Sequence, residues 1–258
     1  MVSADVDRSL RKRKALLRTF LLAGLLLSTV VLVGLAWSTK HIPTPTTGLS
    51  PTINSSWQTA LKHLYSPVRV GIQIGHERAL EHPEELARLR YSTGGYANSV
   101  SEVDINRKIA VAVGERLEAL GITVDLLPAT VPPLYRADLV LSLHADSSRD
   151  PMRRGYKSAH FRDPRNRLEP ILKQHLDEAY LKHSKLPHDE ENVSGAMLEY
   201  YAFNHKKYRH SISQRTPAVI VEMGYISNVE DLDVLRSETP AQAITEGIVN
   251  YLRDRGRL

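Results

Sequence analysis

Cysteine is absent from this chain of 258 residues. Without cysteine there is no disulfide and no thiolate ligand, so a metal site would have to use histidine and carboxylate side chains. A thiol nucleophile is excluded for the same reason. The formal net charge is +5, but six Lys and Arg residues lie within the first eighteen positions. The rest of the chain is therefore less basic than the total suggests, and we expect no nucleic-acid partner.

Residues 19–37 contain no charged side chain. Their length is close to the ~20 residues that cross a bilayer as a helix. Basic residues precede this stretch and Trp37 ends it, so the positive-inside rule predicts a single-pass transmembrane helix with a cytoplasmic N-terminus. A cleaved signal peptide is the competing interpretation, but its apolar region usually spans only about 7 to 15 residues. We therefore expect an uncleaved anchor in the cell membrane, with everything after it outside the cytoplasm.

The chain divides into four predicted parts: a basic cytoplasmic tail at 1–18, the anchor at 19–37, a Pro- and Thr-containing linker at 38–66, and a domain at 67–258. Apolar patterns in the domain predict strands at 68–76, 122–127, 137–146, 155–161 and 217–225. They predict helices at 102–120, 168–181, 229–236 and 241–252, the last with Thr239 as cap and Pro240 at the first helical position. Strand and helix alternate, which predicts the α/β class: a mainly parallel sheet with helices on both faces.

Ionisable side chains stand where three of these strands end. They are His76, His144 and Glu222, and Glu102 stands at the start of a predicted helix. Because ligands bind at the carboxyl ends of strands in open α/β sheets, we expect these groups to meet. Two histidines and one carboxylate form an open zinc site that keeps a position for water, and a second carboxylate can act as general base. A lone histidine such as His144 can also simply cap a strand.

Each carboxylate has an alternative role. The run from Ser99 to Glu102 matches a capping box, in which the glutamate only satisfies a backbone donor. If Ser101 is the cap instead, Glu102 is free to bind metal. Glu222 ends a Val-Ile-Val run, where a buried carboxylate costs several kcal/mol unless it has a partner. Glu77 is a rival metal ligand, whereas we expect the histidines at 160, 175, 183, 188, 205 and 210 to be surface residues.

Four segments together carry a resemblance to a known family: Val70–His76, Ser101–Ala110, Ala137–Asp146 and Pro217–Asn228. In this order, over about residues 68–253, the chain resembles the zinc-dependent N-acetylmuramoyl-L-alanine amidases of the Amidase_3 type. The resemblance implies Zn²⁺ bound by His76, Glu102 and His144, with Glu222 as the catalytic glutamate. It implies hydrolysis of the amide between N-acetylmuramic acid and L-alanine in peptidoglycan, which suits an enzyme held outside the membrane.

The chain departs from the family pattern around the first histidine. Glu77-Arg78 stands where the family usually has two glycines, and Gln73 stands where it usually has aspartate. These changes leave open a zinc peptidase acting on wall peptides, or a non-catalytic scaffold that binds the cell wall. A protein regulator is also left open. Candidate contacts for stem-peptide carboxylates are Arg78, Arg90, Arg136 and Arg153, each of which also fits a solvated surface role.

Overall fold

A computed structural model describes residues 67–258. The predicted tail, membrane helix and linker lie outside the described residues. Within residues 67–258, none of the helices is both long enough and apolar enough to span a membrane.

The centre of the domain is a five-stranded sheet in which all strands but one run parallel. Its strands are β1 (Arg69–Ile74), β4 (Thr123–Leu127), β5 (Leu139–Asp146), β6 (Lys157–Ala159) and β7 (Ala218–Tyr225), in the order β4-β1-β5-β7-β6. The short edge strand β6 is antiparallel to β7. Two further short strands, β2 (Tyr96–Ala97) and β3 (Val100–Ser101), form a separate antiparallel pair. The mainly parallel sheet is therefore confirmed, and the run 137–146 forms its middle strand.

Within residues 67–258, α-helices of two turns or more lie at four positions: α1 (Glu102–Glu118), α2 (Glu169–Ser184), α4 (Val229–Arg236) and α5 (Thr239–Asp254). A single-turn helix, α3, spans Gly195–Leu198. The first residue of α5 differs from the prediction: Glu238 is the N-cap, so Thr239 and Pro240 are the first two helical residues. Proline is tolerated there because amides in the first turn have no intrahelical acceptor.

The two faces of the sheet are covered differently. Buried residues of the four longer helices share one core cluster with the odd-numbered positions of β5 and β7, such as Leu141 and Val221. The other face, which includes Val140 and Ile220, packs against residues 193–212, where the structure has only α3 and a 3₁₀ turn. The expectation of helices on both faces is thus wrong for the longer helices. A proline-containing crossover between β4 and β5, together with the aperiodic segment 193–212, covers that face instead.

Candidate active site

The site lies on the face of the sheet that the longer helices do not cover. His144 on β5 and Glu222 on β7 are direct partners in the parallel register. Since side chains alternate between faces along a strand, both leave the sheet on the same side as Val140 and Ile220. The register shifts between His144 and Asp146, at the carboxyl end of β5. Neighbouring strands therefore bring two residues that are distant in sequence to one place.

Three of the predicted residues converge on one point. Glu102 Oε1 lies 3.1 Å from His144 Nδ1 and 3.3 Å from His76 Nε2. One ligand atom from each of His76, Glu102 and His144 lies within 4.8 Å of the others. Glu102 and His144 are buried, and His76 is partly exposed. The sequence-based expectation that these three side chains meet is borne out by this geometry.

Glu102 is free to face the histidines because it does not act as a capping-box residue. Ser101 is the N-cap of α1, and Glu102 is the first helical residue. The second carboxylate oxygen, Oε2, accepts a hydrogen bond of 2.8 Å from the backbone amide of Gly95. In return, the backbone amide of Glu102 donates a hydrogen bond of 2.9 Å to the carbonyl oxygen of Gly95. This exchange with the loop orients Oε1 towards the histidine rings. Of the two alternatives, the structure has the one with Ser101 as cap.

Each histidine has an oxygen partner at its other ring nitrogen. His76 Nδ1 lies 2.7 Å from the carbonyl oxygen of Ser92, and a carbonyl can only accept, so Nδ1 carries a proton. Nε2 of neutral His76 therefore presents a lone pair towards Glu102. His144 Nε2 lies 3.1 Å from the hydroxyl of Tyr200, whose oxygen can accept a hydrogen bond in the same way. Partners of this kind orient metal-binding histidines in proteins.

Electrostatics in the cluster reflect burial and the shared carboxylate. Burial opposes ionisation of Glu102, but its close contacts with His144 and His76 outweigh this effect and hold the pKa of Glu102 well below the usual range. Burial lowers the pKa of His76, but the neighbouring Glu102 carboxylate raises it by more, so the pKa of His76 is raised. Burial dominates at His144 and lowers its pKa, which favours the neutral imidazole that a metal requires.

Glu222 lies beside this cluster without joining it. Its pKa is raised well above the usual value by burial first, and then by the negative charges of Glu102 and Asp146, with Lys157 opposing. Its Oε2 atom is buried and has no hydrogen-bond partner within the described part of the chain. A buried acceptor left unpaired is costly, so this oxygen is available for a hydrogen bond with a bound molecule.

A cavity of about 400 Å³ opens over these groups. Its lining includes His76, His144 and Glu222, together with Tyr200 and Arg88 from segments outside the four motifs. The volume falls within the range of about 300 to 1,000 Å³ typical of ligand sites. The sequence did not point to Ser92, Gly95, Tyr200 or Arg88, because they belong to loops or 3₁₀ turns with no clear periodicity.

Comparison with known proteins matches the chain to one family. The family model Amidase_3, described as N-acetylmuramoyl-L-alanine amidase, matches residues 70–254. The chain belongs to this amidase family. Among solved structures, it is similar to the amidase Ami1 from Mycobacterium smegmatis, with 17% identity over 72% of this chain and 97% of that one, and a TM-score of 0.56. It is also similar to the amidase AmiC2 of Nostoc punctiforme, with 19% identity over 72% and 97% of the two chains and a TM-score of 0.50. A comparison with curated proteins finds no match.

The positions where this amidase departs from the family pattern have structural roles. Gln73 is buried. Its Nε2 donates a hydrogen bond of 2.6 Å to the carbonyl oxygen of Ala129, and its Oε1 accepts one of 2.5 Å from Ser142 Oγ. Glu77 forms an ion pair of 2.7 Å with Arg107 and lies outside the cluster, so it is not the rival ligand. Arg78 has a φ of 57°, a left-handed conformation that glycine adopts without strain.

The basic residues proposed as carboxylate contacts are not at the amidase cavity. Arg78 pairs with Glu81, and Arg90 binds Glu84 and the carbonyl of His82. Arg136 and Arg153 are exposed, and none of the four lines the cavity. None of the six remaining predicted surface histidines joins the cluster of His76, Glu102 and His144.

Proposed function

We propose that this amidase hydrolyses, with Zn²⁺, the amide between N-acetylmuramic acid and L-alanine in peptidoglycan. The observation that carries the proposal is the convergence of His76, Glu102 and His144 on one point, with Glu222 on the adjacent strand. Membership of the amidase family supports the substrate class. In this proposal the first three residues hold the metal and Glu222 is the catalytic residue.

The donor set fits zinc. Zinc bonds of about 2.1 Å in a tetrahedral site place neighbouring ligand atoms about 3.4 Å apart. The two nitrogen-to-oxygen distances in the cluster are 3.1 and 3.3 Å. The proton on His76 Nδ1 is already donated to Ser92, which leaves Nε2 for the metal. Two histidines and one carboxylate also match the ligands of catalytic zinc sites, and no thiolate is needed.

The chemistry follows from the surroundings of Glu222. When bound, zinc supplies a Lewis acid that polarises an amide carbonyl and lowers the pKa of water. Glu222 takes the proton from the attacking water on its unpaired Oε2 and then gives it to the leaving amine of L-alanine. The products are a free lactyl carboxylate and an unblocked amino terminus. Ser92 and Tyr200 keep the two imidazole rings oriented throughout.

Product analysis tests the proposal. The purified chain is incubated with defined muropeptides, before and after chelation and re-addition of zinc, and the products are identified by mass spectrometry. We expect an N-acetylmuramyl sugar with a free lactyl carboxylate and an intact stem peptide that begins with L-alanine. A shortened peptide would indicate a wall peptidase instead, and binding without any product would indicate a scaffold. Activity that survives complete metal removal would reject the zinc mechanism.

We propose further that residues 19–37 anchor the protein in the cell membrane, with residues 1–18 in the cytoplasm and the catalytic domain at 67–258 outside. The support is the uncharged stretch and the basic residues before it. Peptidoglycan lies on the outer side of the membrane, so this orientation puts the enzyme beside its substrate. Fractionation of cells, with protease added to spheroplasts, tests it. We expect a membrane-bound protein whose domain is cleaved from outside; recovery in the cytosolic fraction would contradict the proposal.

A further inference from the structure

Among residues 67–258, Arg88 is the only arginine or lysine that lines the active-site cavity. It lies on a 3₁₀ helix spanning Glu84–Leu89, in the loop between β1 and α1. The motifs that identify the family do not include this loop. The same cavity is lined by His76, His144 and Glu222. A molecule filling it would therefore meet the reacting groups and the Arg88 guanidinium at once.

The charge of Arg88 has no acidic partner among the residues that the structure describes. Within residues 67–258, no carboxylate lies within ion-pairing distance of its guanidinium, whereas Arg78, Arg90 and Arg107 in the same region all have acidic partners. Glu199 also lines the cavity, but Arg162 pairs with it at 3.3 Å. Arg88 is thus the one permanent positive charge of the cavity lining that lacks an anionic partner in the described residues.

The guanidinium is oriented but keeps free donors. Its Nη2 donates a hydrogen bond of 3.0 Å to the hydroxyl of Tyr208. This is the one hydrogen bond that the guanidinium makes within the described part of the chain. Neighbours hold this segment: Leu86 is fully buried, and Glu85 accepts hydrogen bonds from the amides of Arg209 and His210. A guanidinium has five N–H donors in a planar fork that matches a carboxylate. Most of these donors remain for a ligand.

We propose that Arg88 binds a carboxylate of the stem peptide, on the residue that follows L-alanine. This inference rests on the proposed function. An extended peptide advances by about 3.5 Å per residue, so a carboxylate one residue beyond the scissile amide fits within a cavity of about 400 Å³ whose lining includes His76, His144 and Arg88. Arg88 then selects substrates whose second residue carries a free α-carboxylate over those in which the α-carboxyl group is an amide and only the side-chain carboxylate is free.

Two substrates that differ by one charge test the assignment. N-acetylmuramoyl-L-alanyl-D-glutamic acid and its isoglutamine counterpart are hydrolysed by wild type, Arg88→Gln, Arg88→Lys and the control Arg90→Gln. We expect Arg88→Gln to lower kcat/KM for the acid about 10- to 100-fold, mainly through KM, since a charge-assisted pair is lost. The amide substrate should change less than about threefold, whereas loss of folding would affect both substrates equally. Arg88→Lys should keep part of the preference, because it retains the charge without the fork.

The control variant is Arg90→Gln, and different results would reject the role of Arg88 and the proposed function. Arg90→Gln removes the same charge two residues away, outside the cavity, and should leave the acid-to-amide ratio unchanged. A wild-type enzyme that cleaves neither substrate at the lactyl amide would reject the proposed function itself. Cleavage of both with equal efficiency, or an Arg88→Gln variant that loses the same factor on both, would reject the role of Arg88 while leaving the proposed function intact.

Discussion

His144 and Glu222 are register partners on adjacent parallel strands, and their side chains leave the same face of the sheet. His144 contacts the Glu102 carboxylate at 3.1 Å. Glu222 has a buried oxygen with no partner among the described residues. In the proposed mechanism the sheet would supply one residue to hold a metal and one to move a proton, and backbone pairing fixes their separation. The first prediction separates these two roles.

Glu222→Gln should abolish turnover while leaving the metal bound. The amide keeps the shape of the side chain but cannot take a proton from water, and general-base catalysis contributes about 10²- to 10⁴-fold. His144→Ala should lose both metal and activity because it removes a ligand. Bound zinc and kcat measured on both variants check this, with Glu238→Gln, an exposed residue paired with Arg116, as control. Wall digestion by Glu222→Gln at the wild-type rate would disprove the assigned role.

The raised pKa of Glu222 predicts a pH-dependent stability difference in the metal-free protein. A carboxyl whose folded pKa exceeds its unfolded value of about 4.3 binds more protons in the native state, so its contribution to stability falls as pH rises through that window. Glu222→Gln removes this loss because the amide does not titrate.

We therefore expect the chelated Glu222→Gln protein to match wild type near pH 4 and to be more stable by about 1 to 3 kcal/mol at alkaline pH. Denaturant unfolding at several pH values measures the difference. A stability difference that stays constant with pH would show that Glu222 is not a strained carboxylate.

Tyr200→Phe should weaken metal binding without unfolding the protein. The ring packs in the apolar cluster on the site's face of the sheet, and phenylalanine keeps that packing while removing the hydroxyl that contacts His144 Nε2. Loss of such an orienting partner typically costs 10- to 100-fold in metal affinity. Competition with a zinc chelator measures the affinity, and Tyr91→Phe, at a tyrosine that is 88% exposed, is the control. Equal affinities for Tyr200→Phe and wild type would remove Tyr200 from the site.

Gly75→Ala should disrupt the site through sterics alone. A Cβ atom there would lie 2.5 Å from the His144 ring and 2.5 Å from the carbonyl oxygen of Leu143, which is backbone and cannot move aside. Overpacking of this kind costs about 1 to 3 kcal/mol, and His144 should be displaced. Gly195→Ala, where a Cβ meets nothing within 4 Å, should leave both stability and bound zinc unchanged or slightly improved. Thermal unfolding and zinc content distinguish the two variants.

Local patterns in the sequence were sufficient to predict most elements of the domain. The helix at 229–236 and the start of α1 at Glu102 match the structure, because apolar periodicity and cap residues act within one or two turns. The convergence of His76 and His144 with Glu102 was predicted because strand ends are recognisable in the sequence and meet at one edge of a parallel sheet. The open question at Glu102 depended on which serine caps the helix, and Ser101 does so.

The rest depends on contacts between distant segments. Tyr200 and Arg88 lie in segments without apolar periodicity, and only the fold brings them to the cavity. The sequence also did not show that one face of the sheet lacks long helices. Residues 193–212 cover the face that carries Val140 and Ile220 with turns and a single helical turn. Gln73 and Glu77 looked like changes to the substrate site, yet they bind Ala129 and Arg107.

The most direct test of the account is the zinc content of the purified chain, measured by elemental analysis for wild type and for His76→Ala, Glu102→Ala and His144→Ala. If these three side chains hold one ion, wild type should carry about one zinc per chain, and each variant should retain less than about a tenth of that after dialysis. Wild-type zinc content in any of the three variants, or a wild-type protein that binds no zinc under saturating conditions, would contradict it.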